Sequence, residues 1–247
     1  MNTNVPFPTS SEVHVWAIWL TAPEKTACAY RELLLPDETA RADKFAFDQL
    51  RRRYEISQGG LRLLLSRYLS CHPRELTFSF GPRGKPALCD SELEFNLSNS
   101  GDLSVYVITV GCAVGVDVEQ VKPLRDLENI ASRYFCGAEA RELLSIGSKL
   151  AMQEAFFRCW TRKEAYIKAV GTGLYLPLDR FQVTLLASDP PRFVHIGESP
   201  TIANEWTLQH LDPAPGYAAA LAYHAHARTI VFQQPLAPDE LLEQATN

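Results

Sequence analysis

The order of strand-like and helix-like segments, which occurs twice along the chain, most constrains what this sequence can fold into. Residues 13–20, VHVWAIWL, are rich in β-branched and aromatic side chains, which is typical of a strand buried on both faces. A helical stretch at 51–69 and further strands up to residue 110 follow. After residue 120 the same order returns, with short helices at 127–134 and 138–144, a long helix at 151–170 and then more strands. The pattern predicts two similar lobes.

Two local expectations concern how these segments connect. The apolar run SVYVITV, which ends at residue 110, and the next run, AVGVDVE, are predicted to pair as a β-hairpin. The residues from 235 onward, PLAPDELLEQATN, are expected to form a surface tail or a short last helix.

Composition and charge exclude several classes of protein. With 247 residues and 46% hydrophobic content, the chain can bury a substantial core. It has no basic, apolar leader and no apolar run long enough to cross a bilayer, so we expect a cytoplasmic protein without a membrane partner. The net charge of −5 argues against nucleic acid as a partner. Its six cysteines are scattered singly, which indicates neither a zinc site nor disulfides.

Two acidic residues in the segment GVDVEQ are predicted to share one face of a strand. Side chains alternate along a strand, so Asp117 and Glu119 point away from the valines between them, with Cα atoms roughly 6 to 7 Å apart. Two neighbouring carboxylates repel each other unless a cation lies between them. The segment therefore indicates either a divalent metal site or a strand with a solvated acidic face.

A second charged group lies on the predicted helix at 151–170. Glu164 and Lys168 are four residues apart and share a helix face, and Lys163 is adjacent to Glu164. An isolated pair of this kind is typically a surface ion pair of small value. Two cations within one turn of a carboxylate, beside an aromatic segment, also suit a phosphate-bearing ligand.

Further candidates for binding a polyanion lie in the first half of the chain. The turn around RGKP contains a glycine that permits close backbone approach and a proline that fixes its exit. The segment NLSNSGD offers hydroxyl and amide groups suited to phosphate oxygens, although it also suits a plain turn between strands. The basic candidates are Arg41, Arg53, Arg83 and Lys85.

The segments GKPAL, FNLSNSGD, GVDVE and FFRCWTRKEAYIKAVGTGL, in this order and at these separations, closely resemble the Sfp-like class of 4′-phosphopantetheinyl transferases. The resemblance extends from about Arg41 to Val183. It implies an α+β pseudo-dimer of two lobes, each a small antiparallel sheet packed with helices. We place the lobes at 1–111 and 112–247, the second carrying the metal site and ending in a tail. The implied reaction transfers the phosphopantetheine arm of coenzyme A to a serine of an apo acyl or peptidyl carrier protein and releases adenosine 3′,5′-bisphosphate.

The resemblance also implies roles for the charged residues. Asp117, Glu119 and Glu164 are expected to bind magnesium or manganese, both of which accept oxygen ligands. Lys168 is expected to contact the pyrophosphate of coenzyme A, with Lys163 as a less certain neighbour. Glu164 and Lys168 are therefore the predicted catalytic residues, and Asp117 also contributes to cofactor binding.

Nucleotide and phosphate contacts are implied at the remaining positions. Arg41 and Lys85 resemble contacts to the nucleotide end of coenzyme A, with Arg53 and Arg83 as weaker candidates. Ser98 and Asn99 resemble the phosphate-contacting turn. Where the family usually has histidine, Asn99 cannot carry charge or act as a base, so Glu164 or a metal-bound water is the better candidate for taking the serine proton.

Two alternative functions fit the same residues. A metal-dependent phosphohydrolase would use water in place of serine. A non-catalytic relative would bind coenzyme A or a carrier protein without turnover. We expect a monomer whose carrier belongs to fatty-acid, polyketide or nonribosomal-peptide biosynthesis.

Overall fold

A computed structural model describes residues 6–197 and 201–246. Its strands are β1 (Glu12–Trp19), β2 (Phe78–Phe80), β3 (Pro86–Leu88), β4 (Leu93–Ser100), β5 (Leu103–Val110), β6 (Val114–Gln120), β7 (Phe181–Val183), β8 (Phe193–Ile196), β9 (Thr207–Leu211), β10 (Tyr217–Tyr223) and β11 (Thr229–Leu236). Its α-helices are α1 (Glu24–Glu32), α2 (Pro36–Ala42), α3 (Asp48–Leu69), α4 (Leu127–Tyr134), α5 (Gly137–Leu144), α6 (Lys149–Val170) and α7 (Pro238–Thr246).

Two sheets pack face to face and form the centre of the molecule. One has the strand order β11-β1-β5-β4 and the other β6-β10-β9. Because side chains alternate along each strand, one face of each sheet can supply small apolar residues to a shared core. That core contains Val13, Val105, Val116 and Leu221, among others. The sheets therefore meet through their valine-rich faces.

Helices cover the outer face of each sheet. Residues of α1, α3 and α7 pack with the outward apolar side chains of β1 and β5, such as Ile18 and Tyr106. Residues of α4, α5 and α6 pack with the alanines of β10, including Ala220. The result is a helix, sheet, sheet, helix arrangement, and the α+β class is confirmed.

The C-terminal segment forms the short last helix that was one of the two expectations, and it packs on the protein in place of forming a surface tail. Strand β11 pairs in parallel with β1, although the sheets were expected to be antiparallel, and α7 packs on the first-half helices. Leu241 is fully buried, and the hydroxyl of Tyr30 donates to the carbonyl of Pro238 at 2.8 Å. The segment adopts this place because its apolar residues cover the outer face of the first sheet. The division of the chain at residue 111 stays a prediction.

The hairpin expected between β5 and β6 is wrong. Strand β5 lies between β1 and β4, so both of its edges are already paired, and β6 pairs with β10 in the other sheet. Gly111, at φ +68°, provides the backbone bend between the two strands. The chain crosses here from one sheet to the other, which places β6 beside β4 in space.

Candidate active site

Side chains of β4 and β6 join the two sheets where their edges meet. The hydroxyl of Ser98 donates to Oδ1 of Asp117 at 3.0 Å, and that of Ser100 donates to Oε2 of Glu119 at 2.7 Å. The valines of β6 face the core, so both carboxylates project together on the opposite face, as their spacing predicts. Strand β4 thus holds both carboxylates by hydroxyl groups.

Helix α6 brings a cation to the same point. The ammonium group of Lys168 lies 2.7 Å from Oδ1 of Asp117 and 2.7 Å from the hydroxyl oxygen of Ser98. Asp117 is 4% exposed, whereas the side chain of Lys168 retains 29% exposure. The partly exposed ammonium group therefore lies between a buried carboxylate and solvent, where it can meet an anionic ligand.

These groups line a cavity of about 680 Å³ between the two sheets and α6. Glu164, one helical turn before Lys168, is part of the same lining, and exposed Asn99 lies on the wall formed by β4. The opposite wall is apolar and consists of Leu97, Ile130, Tyr134, Trp160 and Leu178. The cavity thus combines a charged half with an apolar half.

The pKa values of Asp117, Glu119 and Glu164 are all raised above the ordinary values of these side chains. Burial is the largest cause for each, and it outweighs the favourable contacts that Lys168 and Ser98 make with Asp117. Repulsion from Asp117 further raises the pKa of Glu119 and of Glu164. A single ammonium group therefore does not compensate the negative charge gathered here.

The chemistry of these residues fits a hard divalent cation. Oδ2 of Asp117 is buried and has no hydrogen-bond partner among the described residues, so one ligand oxygen remains unsatisfied. Carboxylate oxygens are the ligands that magnesium prefers. Within residues 6–197 and 201–246, however, no three acidic, histidine or cysteine side chains already lie close enough together to hold a metal. Binding of one ion by all three carboxylates would thus require them to lie closer together than they do here.

Gly115 sets the distance between α6 and β6. A Cβ atom at this position would lie 2.2 Å from the carbonyl oxygen of Ala165 and 2.3 Å from the amide nitrogen of Ala169. The helix backbone therefore rests directly on the strand backbone. This close approach places Glu164 and Lys168 beside Asp117.

We expect Gly115→Ala to lower kcat/KM of the reaction carried out in this cavity about 10²-fold and to lower Tm. The added methyl group would collide with backbone atoms, so α6 must move away from β6 and carry its charged side chains out of place. Gly147→Ala is the matched control, because a Cβ there would meet no atom within 4 Å. Equal activity of the two variants would contradict the role given to Gly115.

Lys163 is not among the described residues that line the cavity, and its contact with a phosphate stays a prediction. Its side chain is fully buried, and its ammonium group lies 2.8 Å from Oε2 of Glu139, also fully buried. It further donates to the carbonyl oxygens of Leu178 and Phe181 at 2.8 and 2.6 Å. Adjacent residues of a helix point in different directions, so Glu164 faces the cavity while Lys163 faces the core.

Lys85 is also placed differently from its predicted contact with a nucleotide. Its ammonium group donates to the carbonyl oxygens of Val114 at 3.0 Å and Ala169 at 2.8 Å. The described residues that line the cavity do not include Lys85. Its ammonium group thus binds protein backbone in this structure, and its contact with a nucleotide stays a prediction.

The three arginine candidates lie outside the cavity lining. Arg53 forms an ion pair with Asp102. Arg41 is exposed and lies over the ring of Tyr54 at 5.6 Å, and Arg83 lies over the ring of Tyr175 at 3.5 Å. Their contacts to the nucleotide end of coenzyme A stay predictions.

Sequence reasoning missed two groups of residues at the cavity. Ser100 binds Glu119, yet nothing in its turn-like segment distinguished it from its neighbours. Trp160 forms part of the apolar wall and was not among the residues predicted to bind a ligand. Its position four residues before Glu164, and eight before Lys168, was the signal that all three share one face.

Comparison with known proteins identifies the family. Residues 113–222, which contain β6 and α6, match the model of the 4′-phosphopantetheinyl transferase superfamily. The 4′-phosphopantetheinyl transferase HetI of Nostoc sp. (strain PCC 7120) is 37% identical over 217 residues, 86% of this chain and 88% of HetI. The chain belongs to the 4′-phosphopantetheinyl transferase superfamily. Its expected identity as a 4′-phosphopantetheinyl transferase is confirmed.

More distant members of the family match smaller parts of the chain. The 4′-phosphopantetheinyl transferase Sfp of Bacillus subtilis is 31% identical over 157 residues, 63% of this chain and 68% of Sfp. The solved holo-[acyl-carrier-protein] synthase of Thermotoga maritima is 21% identical and covers 47% of this chain and 64% of its own, with a TM-score of 0.37.

Proposed function

We propose that the cavity between β4, β6 and α6 transfers the phosphopantetheine arm of coenzyme A to a serine hydroxyl of an apo acyl or peptidyl carrier protein. The observation that carries this proposal is the contact of Lys168 with Asp117 and Ser98, within a chain of the 4′-phosphopantetheinyl transferase superfamily. An ammonium group held between a carboxylate and a hydroxyl group suits a phosphate that must be both bound and oriented.

In the proposed reaction, the serine oxygen forms a bond to the phosphorus of the arm. The bond from that phosphorus to the oxygen of the leaving phosphate breaks, and adenosine 3′,5′-bisphosphate departs with the bonding electrons. Lys168 neutralises charge on the transferred and leaving phosphates. Glu164, which lines the cavity one helical turn before Lys168, takes the serine proton.

Asp117, Glu119 and Glu164 would together hold magnesium or manganese. The bound cation would supply charge neutralisation for the pyrophosphate of coenzyme A. The unsatisfied Oδ2 of Asp117 and the raised pKa values of the three carboxylates support a cation at this position. Ser98 and Ser100 orient Asp117 and Glu119 for this task by hydrogen bonds.

Asn99 cannot accept the serine proton, so another group must do so. It is exposed on the cavity wall, and its amide can donate a hydrogen bond to a phosphate oxygen but does not titrate near neutral pH. The assignment of the base to Glu164 is consistent with this substitution. Contacts of Asn99 therefore affect binding and not proton transfer.

The apolar wall of the cavity also has a role in the proposed reaction. The apolar wall beside the carboxylates would receive the dimethyl portion of the arm or the side chains next to the carrier serine.

We propose a monomer in the cytoplasm that serves a carrier of fatty-acid, polyketide or nonribosomal-peptide biosynthesis. Among the described residues, no helix is both long and apolar enough to cross a membrane.

Incubation of the protein with coenzyme A, magnesium and apo carrier proteins of each type tests the proposal. The carrier should gain the mass of the arm, as measured by intact-protein mass spectrometry. Phosphate release in the absence of a carrier would instead support a phosphohydrolase. Binding of coenzyme A by calorimetry, with no mass gain on any carrier, would support a non-catalytic relative.

Glu164→Gln should abolish the mass gain while the fold is retained. The amide has nearly the same shape but cannot take a proton or neutralise a cation. Circular dichroism and Tm should match those of the wild type. Transfer at the wild-type rate would place the proton acceptor at another residue.

A further inference from the structure

Lys85 connects the two elements that carry the candidate active site. One of its acceptors, the carbonyl oxygen of Val114, belongs to the first residue of β6, which carries Asp117. The other, the carbonyl oxygen of Ala169, belongs to the residue after Lys168 in the last turn of α6. One ammonium group thus bonds to both elements at the end where they meet.

The last turn of a helix needs such a donor. Its final carbonyl groups lack partners within the helix and carry partial negative charge, so a cation stabilises them. The amide of Gly171 closes one of these positions by donating to Ile167 at 2.9 Å, and Lys85 satisfies Ala169. The turn that holds Lys168 in place therefore depends on Lys85.

The path of the Lys85 side chain is built into the fold. It leaves the turn between β2 and β3 and passes Gly171, where a Cβ would lie 3.2 Å from its Cδ atom. Gly171 is at φ +74°, so a glycine here allows both the end of the helix and the passage of the lysine stem. Lys85 is half-buried, which lowers its pKa and partly shields its hydrogen bonds from solvent.

We propose that Lys85 is a positioning residue, which holds α6 against β6 so that Lys168 and Asp117 meet in the geometry that transfer requires. It acts through these residues and not by contact with the nucleotide. The expected effect of Lys85 on the rate of transfer rests on the proposed function, whereas its expected effect on the packing of α6 does not.

Amide hydrogen exchange of the protein alone, without coenzyme A or metal, tests the structural part. Methionine retains an unbranched, flexible side chain but has no ammonium group to donate hydrogen bonds. In Lys85→Met, amides in the last turn of α6 should therefore exchange about tenfold faster. Amides in the first turns of α6 should be unchanged. Lys25→Met, at an exposed position of α1, is the control. Unchanged exchange in the last turn would overturn the proposal.

Transfer kinetics with two substrates test the functional part. Lys85→Met should lower kcat roughly tenfold to the same extent with coenzyme A and with 3′-dephospho-coenzyme A. A loss that appears only with coenzyme A would show that Lys85 binds the 3′-phosphate and would overturn the proposal. A wild-type protein that transfers nothing would instead refute the proposed function and leave the exchange result standing.

A double-mutant cycle separates positioning from general destabilisation. If Lys85 acts through Lys168, then Lys85→Met should cost little further activity in a Lys168→Met background. Lys85→Arg, which retains a cationic donor, should recover part of the wild-type activity. Fully additive losses would contradict the coupling.

Discussion

Replacing Asp117 by asparagine should lower kcat/KM for transfer about 10³-fold. Asparagine has nearly the same shape but cannot neutralise a divalent cation or pair with the ammonium group of Lys168, which lies 2.7 Å from the carboxylate. Loss of one preorganised electrostatic contact at a reacting phosphate has a cost of this order. The rate of mass gain on an apo carrier protein, measured at several magnesium concentrations, gives the comparison.

The same variant should be at least as stable as the wild type when no metal is present. Burial raises the pKa of Asp117 despite Lys168, so the folded state binds this proton more tightly than the unfolded state. The stability contributed by the protonated carboxyl is therefore lost as pH rises from the ordinary carboxyl range through the raised folded pKa. Asparagine carries no charge and avoids this loss at pH 7.

Thermal unfolding with and without magnesium separates the two effects. Magnesium should raise the Tm of the wild type, because it binds the folded state and offsets the repulsion among Asp117, Glu119 and Glu164. It should leave the Tm of Asp117→Asn nearly unchanged. If Asp117→Asn has a much lower Tm than the wild type without metal, its inactivity would be explained by a destabilised fold. A variant with wild-type activity would remove Asp117 from the site.

Local periodicity was sufficient to predict the two elements that carry the site. Alternation in GVDVEQ put Asp117 and Glu119 on one face of β6, and the helix predicted at 151–170 corresponds to most of α6. Both patterns reflect side-chain directions that the backbone itself fixes. Which face of a helix meets a given strand is not fixed in this way, and here it depends on the close approach at Gly115.

Long-range pairing accounts for what the sequence could not predict. The pairing of β11 with β1 joins residues more than 200 positions apart, and no local pattern records it. Lys85 was predicted to bind a ligand because its turn contains a glycine that permits close backbone approach and because the family resemblance implies a nucleotide contact there. Its carbonyl acceptors belong to backbone far along the chain, and backbone acceptors leave no signal in a sequence.

Lys163→Met should lower the free energy of unfolding by about 3–5 kcal/mol, because it leaves the buried carboxylate of Glu139 without its cation. The carbonyl oxygens of Leu178 and Phe181 would also lose a donor. Urea denaturation measures the change. Lys149→Met, at an exposed position on the same helix, should cost no more than about 0.5 kcal/mol.

Addition of Glu139→Gln should recover part of the stability lost in Lys163→Met. Glutamine removes the unpaired charge, and its carbonyl oxygen still accepts a hydrogen bond from the amide of Val183 or Cys136, both of which bond to Glu139 in the wild type. Recovery would show that the buried charge, and not the lost lysine stem, dominates the cost. Suppose instead that Lys163→Met is as stable as Lys149→Met but fails in transfer. Lys163 would then act on the phosphates in a rearranged complex, and its burial against Glu139 would describe only the ligand-free enzyme.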